Sequence, residues 1–328
     1  MYCPRLEHFV RFDPDGSITR CGHMVNSRSF DSTEDLESSD WLKYLKNEMA
    51  SDKWPKECVR CQQSETIKGK SVRTASLTRH HLLKSYRNDY LIVGGVLDNI
   101  CNSACQTCNS NLSTKIGSLE GKYYKKVNNF EKFCKLPQHR ITEIDINGGE
   151  PTASKNYKSL LKNLPNNVKI VRMNTNASRI IKEIETVLQN NVKVIVTLSL
   201  DGVGKVHDYI RWPIKWDLYR RTVDHYVALR EKYAFLTLDF WTTVSCFNVS
   251  DMQNILDYSA QMKIPHDWAF LSKPSVLNPR FKNMFTKQNK NFHTDIVGTD
   301  HDNSDQLQAF IDKQDKLRGI SVKDYFNF

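Results

Sequence analysis

The chain has no run of eighteen apolar residues, so no segment reads as a membrane-spanning helix. Its first residues, Met1-Tyr-Cys-Pro-Arg-Leu-Glu, lack the apolar core of a secretion signal. It shows no internal repeat and no low-complexity tract. It also lacks the paired-cysteine context of a secreted domain. Nine cysteines without a secretion signal point to a reducing cytoplasm and to metal ligation rather than disulfides. Acid is in short supply: 37 Asp and Glu face 47 Lys and Arg, a net charge of +10. The length of 328 residues suffices for one large domain plus a small one.

The cysteines that remain to be explained are grouped. Cys101, Cys105 and Cys108 fall in one short run after the apolar stretch Tyr90–Leu97. The spacing brings three thiolates onto one loop and supplies no fourth. A closed structural zinc site takes four ligands. A four-iron, four-sulfur cluster on three cysteines keeps one iron open to a group that is not protein. Forty residues on, Ile141-Thr-Glu-Ile-Asp-Ile-Asn147 alternates like a strand. It ends in Gly148-Gly149-Glu150-Pro151. The glycines permit close approach to the backbone, the carboxylate accepts charge-assisted hydrogen bonds, and the proline stops the strand and can open the next helix.

This pair of motifs resembles the radical S-adenosylmethionine (SAM) enzymes, whose signature is a Cys-x3-Cys-x2-Cys loop followed by Gly-Gly-Glu. The resemblance implies a SAM-binding 4Fe-4S cluster on Cys101, Cys105 and Cys108, with SAM chelating the fourth iron. It implies that Gly148, Gly149, Glu150 and Pro151 frame the methionine amino end. Reductive cleavage of SAM would then yield a 5′-deoxyadenosyl radical that abstracts hydrogen from a substrate. A residue before the last cysteine that is usually aromatic in the family is Thr107 here. The match extends to Thr175 and Asn176 after the strand candidate 168–174, and to Ser199 and Asp201 after 192–200. Arg211 would be a second carboxylate clamp, and Ser199 would lie near the SAM ribose or carboxylate.

Four more cysteines come earlier. Cys3 and Cys21 flank a hairpin candidate turning at Asp13-Pro-Asp-Gly16, and Cys58-Val-Arg-Cys61 follows an amphipathic segment at Trp41. The block resembles the Twitch or SPASM modules of the same enzymes, placed before the core rather than after it. That resemblance implies a second, auxiliary 4Fe-4S cluster on Cys3, Cys21, Cys58 and Cys61. A zinc ribbon is the competing reading. Cys134 reads as a buried small hydrophobe, and Cys246 as packing near the end of a strand, with a radical-relay role as the sharper alternative.

Strand and helix candidates alternate from residue 90, with six strands in all. This predicts an α/β fold, a parallel sheet, and by family likeness a partial (β/α)6 TIM-like barrel preceded by a small cysteine-rich hairpin and helix module. The expected division is 1–65 cysteine module, 66–88 basic, partly helical linker, 89–272 core, and 273–328 a carboxy-terminal extension covering the substrate side. Ligands in such sheets sit at the carboxyl ends of the strands, where the three-cysteine loop, Gly148–Pro151, Thr175-Asn176, Ser199–Gly202 and Cys246 fall. The family likeness implies a peptide or protein substrate and a reducing electron donor, and the lack of a long apolar run predicts no membrane partner. Residues 60–90 carry seven Lys or Arg against two acids, and 272–290 carry five against none. These patches keep two alternatives open: the same chemistry on RNA, or a non-catalytic, zinc-stabilised nucleic-acid-binding protein.

Overall fold

A computed structural model describes residues 1–121, 125–271, 273–286 and 301–326. One eight-stranded sheet organises them, in the order β2-β1-β3-β4-β5-β6-β7-β8. The strands are β1 Phe9–Phe12, β2 Ile18–Thr19, β3 Leu91–Gly95, β4 Ile141–Ile146, β5 Ile170–Thr175, β6 Lys193–Ser199, β7 Leu236–Val244 and β8 His266–Phe270. All neighbours are parallel except the β1–β2 hairpin. The six strands expected from periodicity are β3 to β8, in sequence order across the sheet.

The amino-terminal hairpin does not stand apart. Its strand β1 pairs in parallel with β3 from Phe9↔Ile92 to Phe12↔Gly95. A single apolar core then runs from Trp41, Leu42 and Leu45 of the helix Asp40–Ala50, through Val10, Phe12 and Val93, to Phe240 and Ile255.

On one face of the sheet, helices Lys155–Lys162, Glu183–Gln189, Trp216–Lys232 and Met252–Met262 pack against β-branched and aliphatic side chains such as Val171, Val194 and Leu238. The opposite face is different. There the segment read as a basic linker forms the helix Val72–Tyr86, opened by a Ser71/Thr74 capping box. Its Leu83 packs with Phe9, Tyr90, Ile92, Ile170 and Ile195. Its Arg79 pairs with buried Glu143 and, at 3.5 Å, with Asp145, while Arg172 holds Glu143 from β5 at 2.7 Å. Burial pushes the Arg79 guanidinium down to about 10.

Of the seven basic residues in 60–90, Arg73, Arg79 and Arg87 are engaged in ion pairs with Glu65, Glu143 and Asp89. That leaves a thinner positive patch than the sequence suggests. In the basic run 272–290, residues 272 and 287–290 lie outside the described residues. A last helix spans Ser304–Arg318. Among the described residues no helix is long and apolar enough to cross a membrane.

Two expectations are corrected. Cys134 is exposed rather than buried, because the short helix Phe130–Lys135 turns Phe133 inward instead. Pro151 ends the turn after β4 but does not open the next helix. That helix starts at Lys155, with the Ser154 hydroxyl accepting from the Tyr157 amide at 3.2 Å.

Candidate functional site

The carboxyl end of β3 leads into the cysteine loop. The loop's path is fixed from four sides. The Ala104 and Gln106 amides donate to the Trp212 and Ile210 carbonyls, each at 2.8 Å. The Cys101 amide donates to the Thr114 hydroxyl at 3.2 Å. From the far end of the chain, Arg318 Nε donates to the Ala104 carbonyl at 2.8 Å and Nη2 to the Cys105 carbonyl at 3.4 Å. The fourth tie comes from β5: Asn176 Nδ2 donates to Asn102 Oδ1 at 2.9 Å and to Ser103 Oγ at 3.1 Å.

Ser103 sits between two of the thiols. Its hydroxyl lies 3.3 Å from Cys101 Sγ and accepts from Cys105 Sγ at 3.6 Å. Burial raises the Cys101 thiol pKa, as does the neighbouring Cys105. Burial, then Cys105 and Cys101, pushes Cys108 up to about 12. Thiols crowded in this way hold their protons until a cationic guest offsets the repulsion between thiolates.

Gly148 and Gly149 are where the sequence needs them. Their φ angles are +98° and +63°, left-handed values that favour glycine. A Cβ at Gly148 would lie 2.7 Å from Val96, and one at Gly149 would lie 2.6 Å from the Asp98 carbonyl. The turn after β4 can therefore lie flat against the start of the cysteine loop, where the Glu150 amide donates to the Ile100 carbonyl at 2.8 Å.

These elements close on one cavity of about 230 Å³. Cys101, Cys105, Cys108, Gly148, Gly149, Thr175, Asn176, Ser199 and Arg211 all line it, as does Thr107. Glu150, Pro151 and Asp201 do not. The Glu150 carboxylate is buried behind the wall. It accepts from the Thr152 amide and hydroxyl, from Thr175 Oγ1 at 2.8 Å, and from the Asn176 amide at 2.7 Å. It thus ties the end of β4 to the end of β5. Burial raises its pKa against the pull of those donors.

Asp201 plays a similar part for Arg211. It accepts from Arg211 Nη1 at 2.8 Å and from the Thr243 amide at 2.8 Å. Burial opposes the Arg211 charge, but Cys105 and Asp201 outweigh it and raise its pKa. A guanidinium held this way remains cationic at the cavity wall beside three thiols, where an anionic group would meet it.

The four earlier cysteines also converge. Cys3, Cys21, Cys58 and Cys61 line one small cavity of about 20 Å³, with Met24, Met49 and Trp54 around it. Burial is the main cause that pushes Cys3 up to about 11; for Cys58, burial and then Cys3, Cys21 and Cys61 raise it to about 12. As placed, and among the described residues, no three His, Cys, Asp or Glu groups form a site for one metal ion. Cys246 is wholly buried among Tyr209, Phe247 and Leu277 and lines neither cysteine cavity.

Arg318, Ser103, Asn102 and Thr243 are site residues that the motifs did not reveal. Ser103 and Asn102 lie inside the cysteine run and could have been suspected from it. Arg318 carried no local signal.

No family model matches this chain, and no curated protein matches it. Solved structures are similar to it, among them the following three. Streptococcus suis SuiB bound to S-adenosylmethionine shows 15% identity and a TM-score of 0.44, over 95% of this chain and 70% of that one. SuiB bound to precursor peptide SuiA shows 15% and 0.43, over 96% and 70%. Native anSMEcpe with bound AdoMet shows 17% and 0.42, over 70% of this chain and 62% of that chain. The chain therefore spans less than two thirds of anSMEcpe. Likeness at these scores is weak, and the functional reading rests on the site's own residues.

Proposed function

We propose that this chain is a radical SAM enzyme with a partial-barrel core, acting by hydrogen abstraction on a peptide or protein. The observation that carries this reading is the single cavity onto which the three-cysteine loop, the Gly148-Gly149 turn and the strand-end residues converge. Three thiols and no fourth suit a 4Fe-4S cluster with one open iron. The flat Gly148-Gly149 turn leaves room for a ligand against the backbone, and Arg211 offers a bidentate fork to a carboxylate such as that of methionine. The residues present therefore fit both groups. When bound, a cluster and SAM supply a one-electron cleavage that leaves a 5′-deoxyadenosyl radical able to take a hydrogen atom.

The chain's own residues do the rest. Cys101, Cys105 and Cys108 would hold the irons, with the Ser103 hydroxyl beside the Cys101 and Cys105 sulfurs. Asn176 fixes Ser103 and Asn102, and with them the shape of the loop. Glu150 acts on Thr175 and Asn176 rather than on the guest, and Asp201 orients Arg211. In the amino-terminal block, Cys3, Cys21, Cys58 and Cys61 would close a second 4Fe-4S cluster. That part is read from the convergence of four thiols on one small cavity.

Metal and sulfide analysis of anaerobically reconstituted protein tests the reading. About eight irons and eight sulfides per chain are expected. Replacing Cys101, Cys105 and Cys108 together by Ala should leave about four and abolish formation of 5′-deoxyadenosine from SAM. Unchanged iron in that variant overturns the assignment. Zinc in place of iron would favour the nucleic-acid-binding alternative.

A further inference from the structure

Another cavity, of about 600 Å³, opens beside the site on the helical side of the sheet. It lies between the turn Ser178–Glu183 after β5, the start of the helix Trp216–Lys232, and Lys158. Four cations surround it: Lys158, Arg179, Lys182 and Arg221, all exposed. None of them forms an ion pair among the described residues. The hydrogen bond that Arg221 makes through Nε goes to the Asp217 carbonyl at 3.3 Å. Elsewhere in this chain Arg73, Arg79, Arg172 and Arg211 each pair with a carboxylate. Four unpaired cations around one groove, against the single lining carboxylate of Glu183, make a concentrated positive field.

Between the cations lie Ile180 and Leu218, exposed at 36% and 39%. They give the groove an apolar strip between its cations. The groove also touches the site. Its Ser178 accepts from Asn102 of the cysteine loop at 2.9 Å, and its Thr152 hydroxyl donates to Glu150 at 2.9 Å.

We propose that this groove docks an acidic stretch of the peptide substrate in which Asp or Glu alternate with aliphatic side chains. The inference rests on the peptide reading above and deepens it. Carboxylates would meet Lys158, Arg179, Lys182 and Arg221, while aliphatic side chains would cover Ile180 and Leu218. A nucleic acid fits less well. Single strands bind by stacking bases on aromatic rings, and no aromatic residue lines this groove. Docking here holds the substrate by a segment other than the residue that reacts. Specificity then comes from a second contact beside the radical site.

The test uses two fluorescein-labelled probes at low salt, read by anisotropy. One is a 20-residue peptide of Glu, Leu and Ala; the other is a 20-nucleotide oligouridine. Two triple variants are compared with wild type. Arg179→Glu/Lys182→Glu/Arg221→Glu reverses the groove. Lys53→Glu/Lys313→Glu/Lys316→Glu makes the same change in net charge on other elements. The groove variant should bind the peptide at least about tenfold more weakly, and the other should stay within about twofold of wild type. Absence of peptide binding by wild type overturns the proposal, as does equal loss in both variants. An RNA affinity that falls in the groove variant as much as the peptide's also overturns it. Failure of the enzymatic reading shows separately, as absent iron uptake by wild type.

Discussion

Arg318 reaches back 214 residues to donate from Nε to the carbonyl of Ala104, between the first two cysteines of the loop. Its Nη1 donates to the Gln314 carbonyl at 3.1 Å, which fixes the guanidinium to its own helix. The carboxy-terminal helix therefore holds the cysteine loop in place. Arg318→Ala would leave the buried Ala104 carbonyl without its donor, at about 1–3 kcal/mol, while the Cys105 carbonyl keeps the Cys108 amide at 3.2 Å. The expected result is a lower melting temperature and a lower iron content after reconstitution, with Arg318→Lys intermediate. A variant that melts and loads iron like wild type would show that the loop needs no such tie.

Glu150 makes a sharper prediction than its motif suggests. Four donors converge on its carboxylate from Thr152, Thr175 and Asn176. Glu150→Gln turns one acceptor into an NH2 facing an N–H or O–H donor. It should cost about 1–3 kcal/mol in denaturant unfolding before any cofactor is added. SAM affinity should fall as well, because Thr175 and Asn176 line the cavity. Wild-type stability combined with lost SAM binding would instead mean that Glu150 meets the cofactor directly.

Histidine burial sets an acid limit. Burial lowers the pKa values of His8, His23, His80, His207 and His266, and for His207 the lowering is large, with Arg211 adding to it. His207 packs against Trp216 and Tyr219, with ring centroids at 5.4 and 4.5 Å. The unfolded chain binds protons below the ordinary imidazole value of about 6.5, while the folded chain resists them. This stability is complete above that pH and is lost as pH falls toward the depressed values. Melting temperature should therefore drop from pH 7.5 to 5.5, and less steeply in His207→Phe. Identical slopes in the two proteins would remove His207 from the account.

Cys58→Ala tests the amino-terminal thiols. Iron should fall from about eight to about four per chain, since a closed cluster needs all four ligands. Basal SAM cleavage should persist while turnover of the substrate falls. Undiminished metal in this variant would refute joint ligation by Cys3, Cys21, Cys58 and Cys61. Zinc bound without iron would support the ribbon instead.

Much of this was legible in the chain itself. The strands β3 to β8 follow from runs such as Val192–Leu200, and the cysteine loop and Gly148-Gly149 announce their own turn chemistry. The hairpin at Asp13–Gly16 does so too, with the Gly16 amide donating to the Asp13 carbonyl at 3.0 Å. What was illegible is long-range. The docking of the helix Val72–Tyr86 onto the sheet is hidden in a charged, partly helical linker because its anchor, Arg79, has partners 64 and 66 residues away. Two of the four donors to Glu150 are as hard to foresee, because Thr175 and Asn176 lie at the end of the next strand. The parallel pairing of β1 with β3 spans some 80 residues and leaves no local periodicity to betray it.

That pairing has a consequence for cutting the chain. The amino-terminal block and the cysteine loop hang from adjacent strands, and the Val96 amide donates to the Phe12 carbonyl at 2.9 Å where the loop begins. Trimming residues 1–65 would not release a self-sufficient catalytic half. It would strip β3 of its neighbour and bare five buried residues, Leu91–Gly95, along an open hydrogen-bonding edge. A flat, apolar edge of that kind recruits other strands. The shortened protein is expected to aggregate during expression rather than to survive as a simpler enzyme.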